Sequence, residues 1–65
     1  MTLKNELKAL MIEHGLTTKR VAEALGITAE ALRRRMNLEK FNAQEMQMLT
    51  DLLEIENPSE FFFGR

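Results

Sequence analysis

LTTKRVAEALGITAEALRRRMN occupies residues 16–37, and its reading decides the fold. Val21, Ala22 and Leu25 recur at helical spacing and line one face of a first helix that Thr17 can cap. Gly26 breaks the pattern, since only glycine takes a left-handed backbone at a helix end without steric cost. Thr28 can cap a second helix. A helix advances about 100° per residue, so Thr28, Leu32 and Met36 should face a core. Glu30, Arg34 and Asn37 then point the opposite way. Arg33 lies at one edge of that outer face, and Arg35 lies near the core boundary. The stretch therefore predicts two helices joined by a tight turn, the second with a basic outer face.

The flanking sequence is helical too. Leu3, Leu7, Leu10, Met11 and His14 keep helical spacing between a capping Thr2 and a stop at Gly15. Asn42 and Glu45 form an N-x-x-E capping box ahead of Met46, Leu49, Leu52 and Leu53. Asn57-Pro58-Ser59-Glu60 repeats that signal, with proline at the first helical position of a short last helix. Nothing reads as a strand. The expectation is an all-α, compact bundle of about five short helices, forming a single domain over residues 1–65 around a two-helix core at 17–37.

Composition narrows the function. The chain has 65 residues and no cysteine, so neither a disulfide nor a thiolate metal site can form. A chain this small buries only about 60% of its unfolded surface, which makes oligomerisation a reasonable expectation. No apolar run approaches the roughly 20 residues needed to cross a bilayer, and no signal-peptide pattern opens the chain. A complete, soluble, cytoplasmic protein is expected. Ser59 is the only serine and sits in a helix-cap signal; His14 is the only histidine. With no phosphate loop, nucleophile–base pair or metal-ligand cluster, the reading is of a non-enzyme without a cofactor. Met11, Met36, Met46 and Met48 read as adaptable core or interface filling. Phe61, Phe62 and Phe63 cannot all face inward from one short helix, so at least one meets a partner or stays exposed.

The net charge of −1 hides a strong segregation. In residues 1–18 two lysines balance two glutamates. Residues 19–40 carry Lys19, Arg20, Arg33, Arg34, Arg35 and Lys40 against three glutamates. Residues 41–64 carry Glu45, Asp51, Glu54, Glu56 and Glu60 and no base. Salt screens charges beyond about 10 Å, so a local basic face matters more than the total. A helix with Arg33, Arg34 and Asn37 outward suits the DNA major groove: arginine grips guanine O6 and N7, and asparagine grips adenine N6 and N7. Thr17, Thr18 and Lys19, at a helix N-terminus, suit phosphate contact. Arg35 is expected to extend its head outward from the core rim, to a phosphate or an acidic neighbour.

Leu16-Thr17, Val21-Ala22, Leu25-Gly26-Ile27, Leu32 and Met36-Asn37, with Phe62-Phe63-Gly64 at the far end, resemble the phage repressor/Cro-like (XRE-type) helix-turn-helix family. Within it they are similar to small members ending in a Phe-Phe-Gly tail. The resemblance implies a lambda-repressor-like DNA-binding domain in which Ala22 lets two helices approach and Gly26 makes the turn. It also implies that Val21, Leu25, Ile27 and Leu32 form the wedge between them. It further implies a transcriptional regulator of repressor type, from a phage or bacterium, acting as a homodimer on a double-stranded DNA operator with its third helix in the major groove. Carried onto this chain, the base contacts are Thr28, Ala29, Glu30, Arg33, Arg34 and Asn37. The phosphate contacts are Thr17, Thr18, Lys19, Arg35 and Lys40. Such a protein would be cytoplasmic and nucleoid-associated when bound. Several features depart from the family pattern: Thr18 stands where relatives commonly have glutamine, Leu38 where many have glycine, the loop to Phe41 is one residue short, and Ala29 and Glu30 occupy positions that often face bases. Glu30 is four residues before Arg34, the favourable order for a helix pair worth about 0.2–0.5 kcal/mol. The alternative is a protein-interaction module on the same scaffold, an anti-repressor or adaptor whose acidic C-terminal third docks on a basic partner.

Overall fold

The computed structural model describes residues 2–64 and contains helices α1 (Leu3–Glu13), α2 (Thr18–Leu25), α3 (Ala29–Leu38), α4 (Ala43–Leu53) and α5 (Pro58–Phe63). No strand occurs among the described residues. Each helix starts where its cap predicts. The hydroxyls of Thr2, Thr17 and Thr28 accept from the backbone N–H groups of Asn5, Arg20 and Ala31. Asn42 and Glu45 complete a reciprocal capping box, Oδ1 accepting from Glu45 N–H at 2.7 Å and Oε1 from Asn42 N–H at 3.1 Å. At α5 the repeat of this signal is only half built. Asn57 Oδ1 accepts from Glu60 N–H, but Glu60 returns to the Asn57 side-chain amide rather than to its backbone.

The first four helices also end alike. Leu16, Ile27, Lys40 and Ile55 each donate a backbone N–H to the carbonyl five residues back, closing the last turn in a Schellman pattern. The residue just before each donor is left-handed: Gly15, Gly26, Glu39 and Glu54, with φ between 54° and 75°. Glycine at the first two positions was legible from sequence. Glutamate at the other two was not, and a side chain in this conformation costs about 1–2 kcal/mol. Both glutamates reach back to α1. Glu39 Oε2 accepts from the Lys4 N–H at α1's N-terminus, and Glu54 Oε2 meets His14 Nε2 at its C-terminus, each at 3.2 Å.

The buried side chains form one cluster drawn from every helix. Leu3, Leu7 and Met11 come from α1; Val21, Ala22 and Leu25 from α2; Leu32 and Met36 from α3; Leu49 and Leu53 from α4; Phe62 from α5. Ile27, Met46 and Met48 pack against it. The radius of gyration, 10.6 Å, is that of a close-packed chain of this length, about 10.7 Å. Phe62 anchors α5, with its ring edge-to-face against Phe41 and Phe61 at centroid distances of 6.2 and 5.1 Å. Phe63 is the aromatic left outside, 70% exposed.

One expected core position is corrected. Thr28 is exposed, although the helical wheel places it beside Leu32 and Met36. Its backbone is extended (φ −79°, ψ 159°) because it is the N-cap, so the 100° step does not reach back to it.

Candidate nucleic-acid interface

α2 and α3 pack together, and Val21, Ala22, Leu25 and Leu32, which they contribute to the core, are almost wholly excluded from solvent. Ala22, at 1% exposure, has no bulk beyond its methyl group, which permits close approach of the two helices. The turn between them needs Gly26 for its backbone alone. A Cβ placed there would meet nothing within 4 Å, but φ is +75°. The turn thus fixes the direction of α3 relative to α2, and Leu32 and Met36 fix its rotation by burying one side.

With that side buried, the opposite one is set. Glu30, Arg33, Arg34, Asn37 and Leu38 are exposed along α3. The helix is about 15 Å long, and the major groove, about 12 Å wide, admits a helix of this kind. Ala29 does not join this face. It is half-buried and packed against the core, because it lies on the flank shared with Met36. Thr28 sits at the leading end. Its hydroxyl oxygen accepts from Ala31 at 3.0 Å, leaving its proton free to donate.

Arg35 differs from its two neighbours. Its Nε forms an ion pair with Glu45 Oε2 at 2.8 Å, and the Glu45 side chain is only 7% exposed. The acidic-neighbour expectation is thereby met, and the partner is identified. Glu45 uses one oxygen for the capping box of α4 and the other for Arg35, so a single buried carboxylate starts α4 and ties it to α3. Sequence reasoning saw Glu45 only as a cap. The available signal was an arginine at the core rim of one helix and a capping carboxylate at the start of the next.

The N-terminus of α2 supplies a second group. Thr17 caps it, its hydroxyl accepting from Arg20 at 3.2 Å, again with the proton free. The amides of Thr18 and Lys19 have no carbonyl one turn back to bond, as in any helix start. Lys19 and Arg20 are exposed, while Thr18 is half-buried. Lys40 lies apart, in the connection to α4, where it lines a shallow hollow with Leu3, Phe41 and Phe63.

The arrangement offers two arginines and an asparagine able to make bidentate contacts on one helix face, and an N-terminal turn with hydroxyl, amide and lysine donors on the preceding helix. Base-edge and phosphate recognition need these two kinds of donor. Residues 6–62 match the sequence model of the Cro/C1-type HTH DNA-binding domain. No curated relative and no solved structure matches the chain.

Proposed function

The chain belongs to the Cro/C1-type helix-turn-helix DNA-binding domain family, and from that premise we propose that it is a repressor-type transcriptional regulator that binds double-stranded DNA sequence-specifically as a homodimer. The supporting observation is the exposure of Arg33, Arg34 and Asn37 on one side of α3 while Leu32 and Met36 bury the other. α3 enters the major groove, and Arg34 and Asn37 read base edges with Arg33 beside them. Thr17, Thr18 and Lys19 hold the phosphates flanking the groove, and Thr28 donates from the start of α3. Lys40 meets the backbone at the other end. Arg35 is assigned to positioning, since its Nε is engaged by Glu45. The protein acts by occupying its site and performs no catalysis.

The dimer is supported by the small core and by Phe63, an exposed aromatic that lines the hollow with Phe41. Two-fold symmetry would place half-sites about 34 Å apart or a multiple of that spacing.

Selection from a pool of random duplexes tests this reading. It predicts enrichment of an inverted repeat whose affinity falls with salt by about 0.9 log units per neutralised phosphate per log unit of salt. A pool that remains random after selection would remove the proposal.

A further inference from the structure

A groove of about 680 Å³ runs between α1, the α4–α5 connection and α5. None of its lining residues comes from α2 or α3. Its floor is apolar, built from Ala9, Leu10, Ile55 and Phe61, while Glu6, Glu54, Glu56 and Glu60 stand around it. No lysine or arginine lines it among the described residues.

The geometry points to a docking site for a basic amphipathic peptide segment, one that lays an aliphatic or aromatic side chain on the floor and sets lysines or arginines against the glutamates. Charge decides the occupant. Nucleic acid is repelled by the rim. A second copy docked here across a two-fold axis would bring the two acidic rims together, because a two-fold contact matches each patch with itself. That cost does not arise at the Phe63 hollow, where Glu39 and Lys40 are adjacent. The apolar floor calls for more than a diffuse cation, since lysine and arginine alone leave it wet. The volume lies within the about 300–1,000 Å³ of ordinary binding pockets. It suits a short segment in a transient contact rather than the broad face of a permanent complex. Because the groove and the outer side of α3 are built from different helices, a segment docked here leaves the DNA-reading face open. The protein can then hold DNA and a second polypeptide at once.

The test uses the full chain and a fluorescein-labelled amphipathic peptide of leucine and lysine at helical spacing, with the leucine–glutamate counterpart as control. In amide correlation spectra the lysine peptide should shift Ala9, Leu10, Ile55, Glu56 and Phe61, and the glutamate peptide should not. Glu56→Lys, an exposed position between α4 and α5, should weaken binding about tenfold, and Glu56→Gln about threefold. Asp51→Lys, exposed on α4 outside the groove, should leave it within about twofold. Equal weakening by Asp51→Lys, or shifts spread over the acidic surface, would reduce the effect to nonspecific charge and overturn the proposal. So would failure of the lysine peptide to bind, or shifts at the groove that grow with protein concentration alone, which would mean a second copy is the occupant. DNA affinity, read separately, should be unchanged in Glu56→Gln, so this inference and the DNA-binding proposal fail independently.

Discussion

Arg33, Arg34 and Arg35 are consecutive and chemically identical, yet the fold gives the third a different task. Its position near the core boundary brings its Nε to a carboxylate that is 7% exposed, and that carboxylate also caps α4. Removing Arg35 leaves the buried Glu45 carboxylate without its counter-charge. Arg35 itself is partly exposed, so Arg35→Ala should cost about 1–2 kcal/mol of folding stability, whereas Arg33→Ala and Arg34→Ala should each cost under about 0.5. Chemical denaturation of the three variants checks this. His14 makes a second residue-scale prediction. Nδ1 faces the Leu10 carbonyl at 2.9 Å and Nε2 faces Glu54, and the carbonyl contact, aided by Glu54 and Glu13, raises its pKa above the ordinary 6.5. The folded state therefore binds the proton more tightly than the unfolded chain. This stabilisation is fully present below the unfolded pKa and is lost as pH rises through the folded one. A slight fall in melting temperature across that window, absent in His14→Gln, is the expected result of a thermal melt series.

At the scale of the element, helix starts were far more legible than helix ends. Threonine and asparagine caps act through hydrogen bonds to residues three positions on, so their signals are local, and all four caps predicted at Thr2, Thr17, Thr28 and Asn42 are present. Two of the ends carry glutamate where glycine is the normal marker, and no local pattern announces that. What holds Glu39 and Glu54 in a left-handed backbone includes contacts with α1, 35 and 40 residues away in sequence. Glu39→Gly should relieve the backbone strain, offset in part by loss of the Lys4 contact, for a net gain of under about 1 kcal/mol, while Gly26→Ala should lower stability by about 1 kcal/mol with no steric clash to account for it. Opposite shifts in denaturation midpoint between these two variants would confirm that backbone conformation governs both turns. The outer face of α3 was legible because its helical period is regular. Thr28 and Ala29 were placed less well, as both lie where the helix begins and the wheel gives way to the cap and the core flank.

For the whole molecule, the segregation of charge along the chain becomes a segregation in space. The exposed arginines of residues 19–40 sit on α2 (Arg20) and α3 (Arg33 and Arg34), and most acids of residues 41–64 gather around the groove beside α5. Asp51 and Glu45 lie outside it; Asp51 is exposed on α4, and the buried Glu45 joins the two regions through Arg35. Sequence order revealed the two charged regions. It did not reveal that an apolar floor lies beneath the acidic one, because Leu10 comes from α1 and Ile55 and Phe61 from the far end of the chain. The proposed function depends above all on α3 reading bases through Arg34. Fluorescence anisotropy of wild-type protein and Arg34→Ala, each on a selected duplex and on its scrambled counterpart, measures this most directly. Base reading by Arg34 predicts a loss of about 1–3 kcal/mol on the selected duplex and a much smaller one on the scrambled duplex; equal losses on both would contradict it.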